Sequence, residues 1–107
     1  MTEEPTELSK KDLLRITRNW QQKLNIKSDR IQIRKMTNKW GSNSSKRIVI
    51  LNSDLTKLPE EIVEYVVLHE LLHVVVPDHG RKFKAMLSAY MPDWEKRHAQ
   101  LNLQLEV

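Results

Sequence analysis

The chain has 107 residues, 39% apolar and 30% charged, with a formal net charge of +4 and no cysteine. That is the size and balance of one small domain spanning 1–107, and it excludes disulfides and thiolate ligands, so any metal must be held by His, Asp or Glu. No apolar run approaches the roughly 20 residues of a membrane span, and MTEEPTELSKKD lacks the basic-then-apolar order of a secretory signal, which predicts a cytoplasmic protein with no membrane partner.

In chain order, Thr6 or Ser9 can cap a helix in which Leu13, Leu14, Ile16, Trp20 and Leu24 recur at helical spacing. IQIRKM at 31–36 and RIVILN at 47–52 read as strands, and NKWGSNSSK between them reads as a turn, so the two strands are expected to pair as a hairpin. Val49 and its neighbours are then expected to offer a strand edge to an extended peptide. KWGS within that turn has two readings. Gly41 permits a tight turn or bulge with Trp40 packed over the sheet, or the loop flanks a cleft and positions substrate. Pro59 suits the first turn of a helix and Glu60, Glu61 and Glu64 suit its positive end; that helix is predicted to run to about Val76, where Pro77 stops it. Apolar residues surround almost its whole circumference, which marks a central helix. Phe83, Met86, Leu87 and Tyr90 predict an amphipathic helix, Pro92 a turn, and Trp94 with Leu101 a last helix before LNLQLEV, which is either its frayed end or an extended tail. The expected fold class is α+β.

The charge is uneven. Residues 1–58 hold 13 Lys+Arg against 6 Asp+Glu, a net +7, and residues 59–107 hold 5 against 8, a net −3. A basic half can meet nucleic acid, but the few aromatics form no base-stacking patch, so a solvated Lys-rich surface is the preferred reading.

The chemistry concentrates in YVVLHELLHVVVPDHG at 65–80. His69 and His73 are four apart and share one helical face, so both imidazoles can reach one ion. Glu70, rotated by about 100°, stands beside that ion without having to ligate it. This is the H-E-x-x-H arrangement of two zinc ligands and a general base. His79, beyond the helix-ending Pro77, is the candidate third ligand, which leaves a fourth position open for chemistry. The competing reading makes His69 and His73 core histidines bonded to backbone, Glu70 the partner of an arginine, and His79 a loop residue. Three ionisable groups on the most apolar helix would then be costly. His98 reads as an exposed helical histidine rather than a ligand. With one Zn2+ per chain, peptide-bond hydrolysis by metal-activated water follows, with Glu70 as general base. For the oxyanion donor, Tyr65, Tyr90, Arg97 and His98 all remain candidates.

The residues KWGS (39–42), ILN (50–52), LPEEIVEYVVLHELLH (58–73), DHGRKF (78–83) and PDW (92–94) together resemble the minigluzincins and the related YgjP-like metallopeptidases, over Ile31 to about Trp94. The resemblance implies a minimal α+β zincin domain with a small sheet above the active-site helix. It also implies His69, His73 and His79 as zinc ligands, Glu70 as base, and kinship with the catalytic domains of integral-membrane prenyl-protein and quality-control proteases. Minigluzincins are held latent by their own C-terminal segments, within one chain or by exchange between chains. By resemblance, 101–107 is a candidate inhibitory tail, with Glu106 or the terminal carboxylate able to occupy the open zinc position; a simple disordered terminus is the alternative. The His69 to His79 spacing equals that of metzincins, but Val76 stands at their glycine position and Met91 alone makes no Met-turn.

The expected function is therefore a zinc-dependent peptidase acting on a peptide or protein substrate, latent through its C-terminal segment, with self-association through that segment. The alternatives are a protease of DNA-associated proteins and a non-catalytic zinc-binding interaction module.

Overall fold

A computed structural model, which describes residues 7–28, 30–43 and 47–101, contains four α-helices and a three-stranded sheet among those residues. Helix α1 (Lys10–Leu24) starts at Ser9, whose hydroxyl accepts from the Asp12 backbone N–H at 3.1 Å while the Asp12 carboxylate accepts from the Ser9 N–H at 2.8 Å. This reciprocal capping satisfies two backbone donors that the helix leaves open. Thr6, the other candidate cap, lies outside the described residues. Leu13, Ile16, Thr17 and Trp20 are the buried face of α1, and the Trp20 indole donates to Glu64 at 2.9 Å.

Strands β1 (Arg30–Arg34), β2 (Gly41–Asn43) and β3 (Ile48–Asn52) are ordered β1-β3-β2. The expected hairpin between 31–36 and 47–52 is corrected here: β1 and β3 run parallel, in the register Ile31 opposite Val49 and Ile33 opposite Leu51. Parallel partners need a crossover of about a dozen residues or more, and the segment 35–47 provides it. A hairpin is present, but it joins β2 to β3, with Gly41 opposite Leu51 and Asn43 opposite Val49. Both sides of β3 are thus paired, so Val49 lies on the central strand and not on an edge. Among the described residues the edges are β1 and β2.

A buried side chain holds the crossover in shape. Asn52, fully buried, donates from Nδ2 to the Met36 and Lys39 carbonyls at 3.0 and 2.7 Å, and its backbone N–H donates to the Trp40 carbonyl at 2.9 Å. Its Oδ1 accepts from the Asp54 N–H at 2.9 Å and caps the 3-10 turn Ser53–Lys57. Every hydrogen-bonding direction of this amide but one is used, which is how a polar group is tolerated in a core.

Helix α2 (Glu60–Val75) follows Pro59, whose carbonyl accepts from Ile62 and Val63. It carries ten buried residues, from Ile62 to Leu72, and packs against α1, β2, β3, α3 (Arg81–Tyr90) and α4 (Trp94–Leu101). A helix covered on all sides needs apolar residues on all sides, and the sequence of α2 supplies them. The Arg97 guanidinium donates to the Glu61 carbonyl at 2.9 Å and ties α4 to the first turn of α2. No helix among the described residues is long and apolar enough to cross a membrane. Of the proposed tail, Leu101 is the buried last residue of α4, and 102–107 lie outside the described residues.

Candidate active site

The i, i+4 spacing on α2 places the rings of His69 and His73 with centroids 4.7 Å apart. Helix α2 ends at Val75. Val76 turns to extended backbone (φ −130°, ψ 93°) with its N–H on the Leu72 carbonyl at 2.8 Å, and Pro77 has no N–H with which to continue. Asp78 then accepts the Gly80 N–H at 2.8 Å, closing a short turn that starts α3. His79, inside this turn, is swung back over α2. Its ring lies 4.4 Å from that of His73 and 5.1 Å from that of His69. All three predicted ligands therefore converge, with one nitrogen from each within 4.8 Å of the others.

The donor set fits a cation. Nδ1 of His73 donates to the Val76 carbonyl at 3.0 Å, which places the proton there and leaves the Nε2 lone pair facing Nε2 of His79 at 2.9 Å. Burial lowers the pKa of His73 against the opposing pull of the Val76 carbonyl, and burial followed by the charge of His69 lowers that of His79. Neutral imidazole is the form that ligates. Nδ1 of His69, buried in the core, has no hydrogen-bond partner among the described residues. Ligand nitrogens sharing one tetrahedral ion with bonds of about 2.0–2.1 Å stand about 3.3 Å apart, a value between the 2.9 Å of the His73–His79 pair and the 4.8 Å that bounds the cluster.

Glu70 is 2% exposed, with Oε2 3.7 Å from Nδ1 of His69. The KWGS motif meets it from the other side. A Cβ on Gly41 would stand 2.9 Å from Glu70 Cγ and 3.2 Å from Cδ and Oε2. Gly41 has no positive φ. What requires glycine is the close approach of β2 to the carboxylate, a combination of the two readings of KWGS, since Trp40 is indeed buried in the core while the next residue borders the site.

Three features escaped the sequence. Phe83 stacks on His73 with centroids 4.4 Å apart and planes 12° from parallel, and sets its ring edge-on to His69 and His79. The DHGRKF motif could have flagged it, because Phe83 lies one helical turn beyond His79. The approach of Gly41 to Glu70 spans 29 positions and left no local trace. His98 is not the exposed helical residue expected: it is half-buried, with Nδ1 2.7 Å from the Tyr65 hydroxyl.

Residues 5–104 match the family described as YgjP-like, metallopeptidase domain. The chain belongs to the YgjP-like metallopeptidase family. As a metallopeptidase domain it acts on peptide or protein substrates and uses a metal ion, for which the His69, His73 and His79 cluster is the candidate centre. The zymogen of jannalysin, a metallopeptidase of Methanocaldococcus jannaschii, is similar in structure at a TM-score of 0.78, with 25% identity and 96% of each chain covered. The zymogen of abylysin, a metallopeptidase of Pyrococcus abyssi, shares the fold at a TM-score of 0.73 and 19% identity, over 89% of this chain and 99% of that one. The α+β architecture expected from the sequence is that of these two proteins. No curated protein matches the sequence.

Proposed function

We propose that this YgjP-like domain, 1–107 as one catalytic unit, is a zinc-dependent peptidase in which His69, His73 and His79 hold one zinc ion and Glu70 is the general base. The observation that carries this reading is the convergence of three imidazoles beside a buried carboxylate. His69, His73 and His79 would hold a zinc ion, which would supply positive charge to polarise a carbonyl and acidify water. Glu70 accepts the proton of the attacking water and later delivers it to the leaving amine. Gly41 lets β2 approach that carboxylate closely, and the outer edge of β2, the strand nearest the site, offers backbone groups to an extended substrate. The wall formed by Phe83 holds the three rings in place.

Latency is part of the proposal. Both structural relatives are zymogens, and the segment 102–107 directly follows α4, which packs on the active-site helix. Zinc content and peptide cleavage measured on the full chain, on a chain ending at Leu101 and on Glu70→Gln test the whole reading. The expected result is one zinc per chain in all three, cleavage by the shortened chain above that of the full chain, and none by Glu70→Gln. Zinc binding without cleavage by either active form would leave a non-catalytic zinc module instead.

A further inference from the structure

Strand β1 is the edge of the sheet that faces away from β2. β3 lies on one side of it, and among the described residues no strand pairs with the other. Alternate residues of β1 therefore turn their backbone N–H and C=O groups away from the sheet, a template for an added strand. The side chains show the same unfinished edge. Ile31 and Ile33 stand in register with Val49 and Leu51, on the face that packs into the core. Val49 and Leu51 are fully buried, whereas Ile31 and Ile33 are only partly so, because the apolar layer stops at β1. Strand alternation puts Arg30, Gln32 and Arg34 on the opposite face, with both arginines exposed. Among the described residues neither arginine makes an ion pair, while the next cation, Lys35, is bound to Asp54 at 2.6 Å.

Charge selects what this edge accepts. A second copy of the chain, pairing antiparallel along the whole of β1, would set Arg30 opposite Arg34 at both ends, and in-register parallel pairing would set each arginine beside its own counterpart. Like charges so placed destabilise a sheet, and the two arginines guard the edge against self-association. The same two cations, about 13 Å apart along the strand, match an incoming strand that carries carboxylates at that spacing. Apolar residues one position inside each carboxylate would lie beside Ile31 and Ile33 and complete the layer that they leave open. The resulting order, acidic–apolar–polar–apolar–acidic, reads the same in both directions and suits parallel or antiparallel addition.

We propose that the β1 edge is a second peptide-docking site, which takes an extended acidic segment of this pattern as a fourth strand. Backbone hydrogen bonds hold the segment, Arg30 and Arg34 pair with its two carboxylates, and its apolar residues cover Ile31 and Ile33. The site lies across β3 from the β2 edge proposed for the scissile segment, so docking requires neither zinc nor Glu70.

The test is an amide 1H–15N titration of the zinc-loaded full chain with end-blocked peptides EVTVE, QVTVQ and KVTVK. Shifts are expected at the β1 amides and their β3 neighbours, with EVTVE bound roughly 2–30-fold more tightly than QVTVQ through two cross-strand charge pairs, and KVTVK more weakly than either. The double variant Arg30→Glu, Arg34→Glu, changed only at exposed positions, should reverse that order and prefer KVTVK. Two versions of EVTVE, N-methylated at odd or at even residues, separate strand addition from simple ion attraction: one of the two should lose binding and the other keep it. Equal affinity for EVTVE and QVTVQ, shifts centred on β2 instead of β1, or undiminished binding of both methylated peptides overturns the proposal and leaves the peptidase reading standing. A wild-type dimer in sedimentation that dissociates in the double variant would also overturn it, because β1 would then be taken by a second copy.

Discussion

Replacing Gly41 by alanine adds one carbon at the point where β2 meets Glu70. The new Cβ would sit 2.9 Å from Glu70 Cγ and 3.2 Å from Cδ and Oε2. Carbon atoms settle at about 3.5–4.0 Å, so one of the two must move by roughly 0.7 Å. The strand resists, because Gly41 is in register with Leu51 and the preceding loop is bound to Asn52 through the Met36, Lys39 and Trp40 carbonyls. The displacement therefore falls on the Glu70 side chain. If Glu70 is the proposed general base, a shift near 1 Å costs on the order of 10²-fold in rate, and overpacking of this kind costs about 1–3 kcal/mol of stability. Zinc affinity should hardly change, since Glu70 is not among the three proposed ligands. The assay is kcat/KM for a fluorogenic peptide, with zinc stoichiometry and thermal unfolding measured on the same preparations and Ser42→Ala, one position along β2, as control. Gly41→Ala with wild-type kcat/KM would falsify the close-approach account. Parallel loss of zinc and activity would instead mean that the substitution disrupts the strand.

His69→Ala and His73→Ala should abolish stoichiometric zinc, and His79→Ala should weaken it by more than the roughly 10–100-fold cost of losing an orienting partner, as read by chelator competition; unchanged affinity in any of them removes that residue from the centre. Leu71→Ala, at a fully buried position of α2, should cost about 2–5 kcal/mol in denaturant unfolding, and a cost under about 1 kcal/mol would mean that α2 is not the central helix. Ser9→Ala should cost about 1 kcal/mol through loss of the α1 cap. The Ser9 backbone N–H and hydroxyl hold the Asp12 carboxyl below its ordinary range. A depressed carboxyl stabilises the fold above its unfolded pKa, about 3.9, and loses that contribution as pH falls through its folded value. The stability gap between wild type and Asp12→Asn should accordingly be full at neutral pH and shrink below about pH 4; a gap independent of pH would rule out the charged capping box.

What the sequence determined by itself was everything governed by chain-local geometry. The 3.6-residue period aligns His69 with His73, the proline at 77 ends the helix and lets His79 return, and Ser9 is one of two local candidates to start α1, all within a few residues of one another. The all-round apolar character of α2 likewise announces a central helix, because such a surface cannot face water. Tertiary structure alone decided which strands meet and which distant side chains share the site. The strand patterns of 31–36 and 47–52 are compatible with parallel or antiparallel pairing, and the choice depended on a crossover that feeds β2 in as the antiparallel partner. Gly41 and Glu70 lie 29 positions apart, and Tyr65 and His98 33 apart. No periodicity links such positions. Their contacts arise only when β2 and α4 are packed against α2, where the absence of one Cβ becomes chemically consequential.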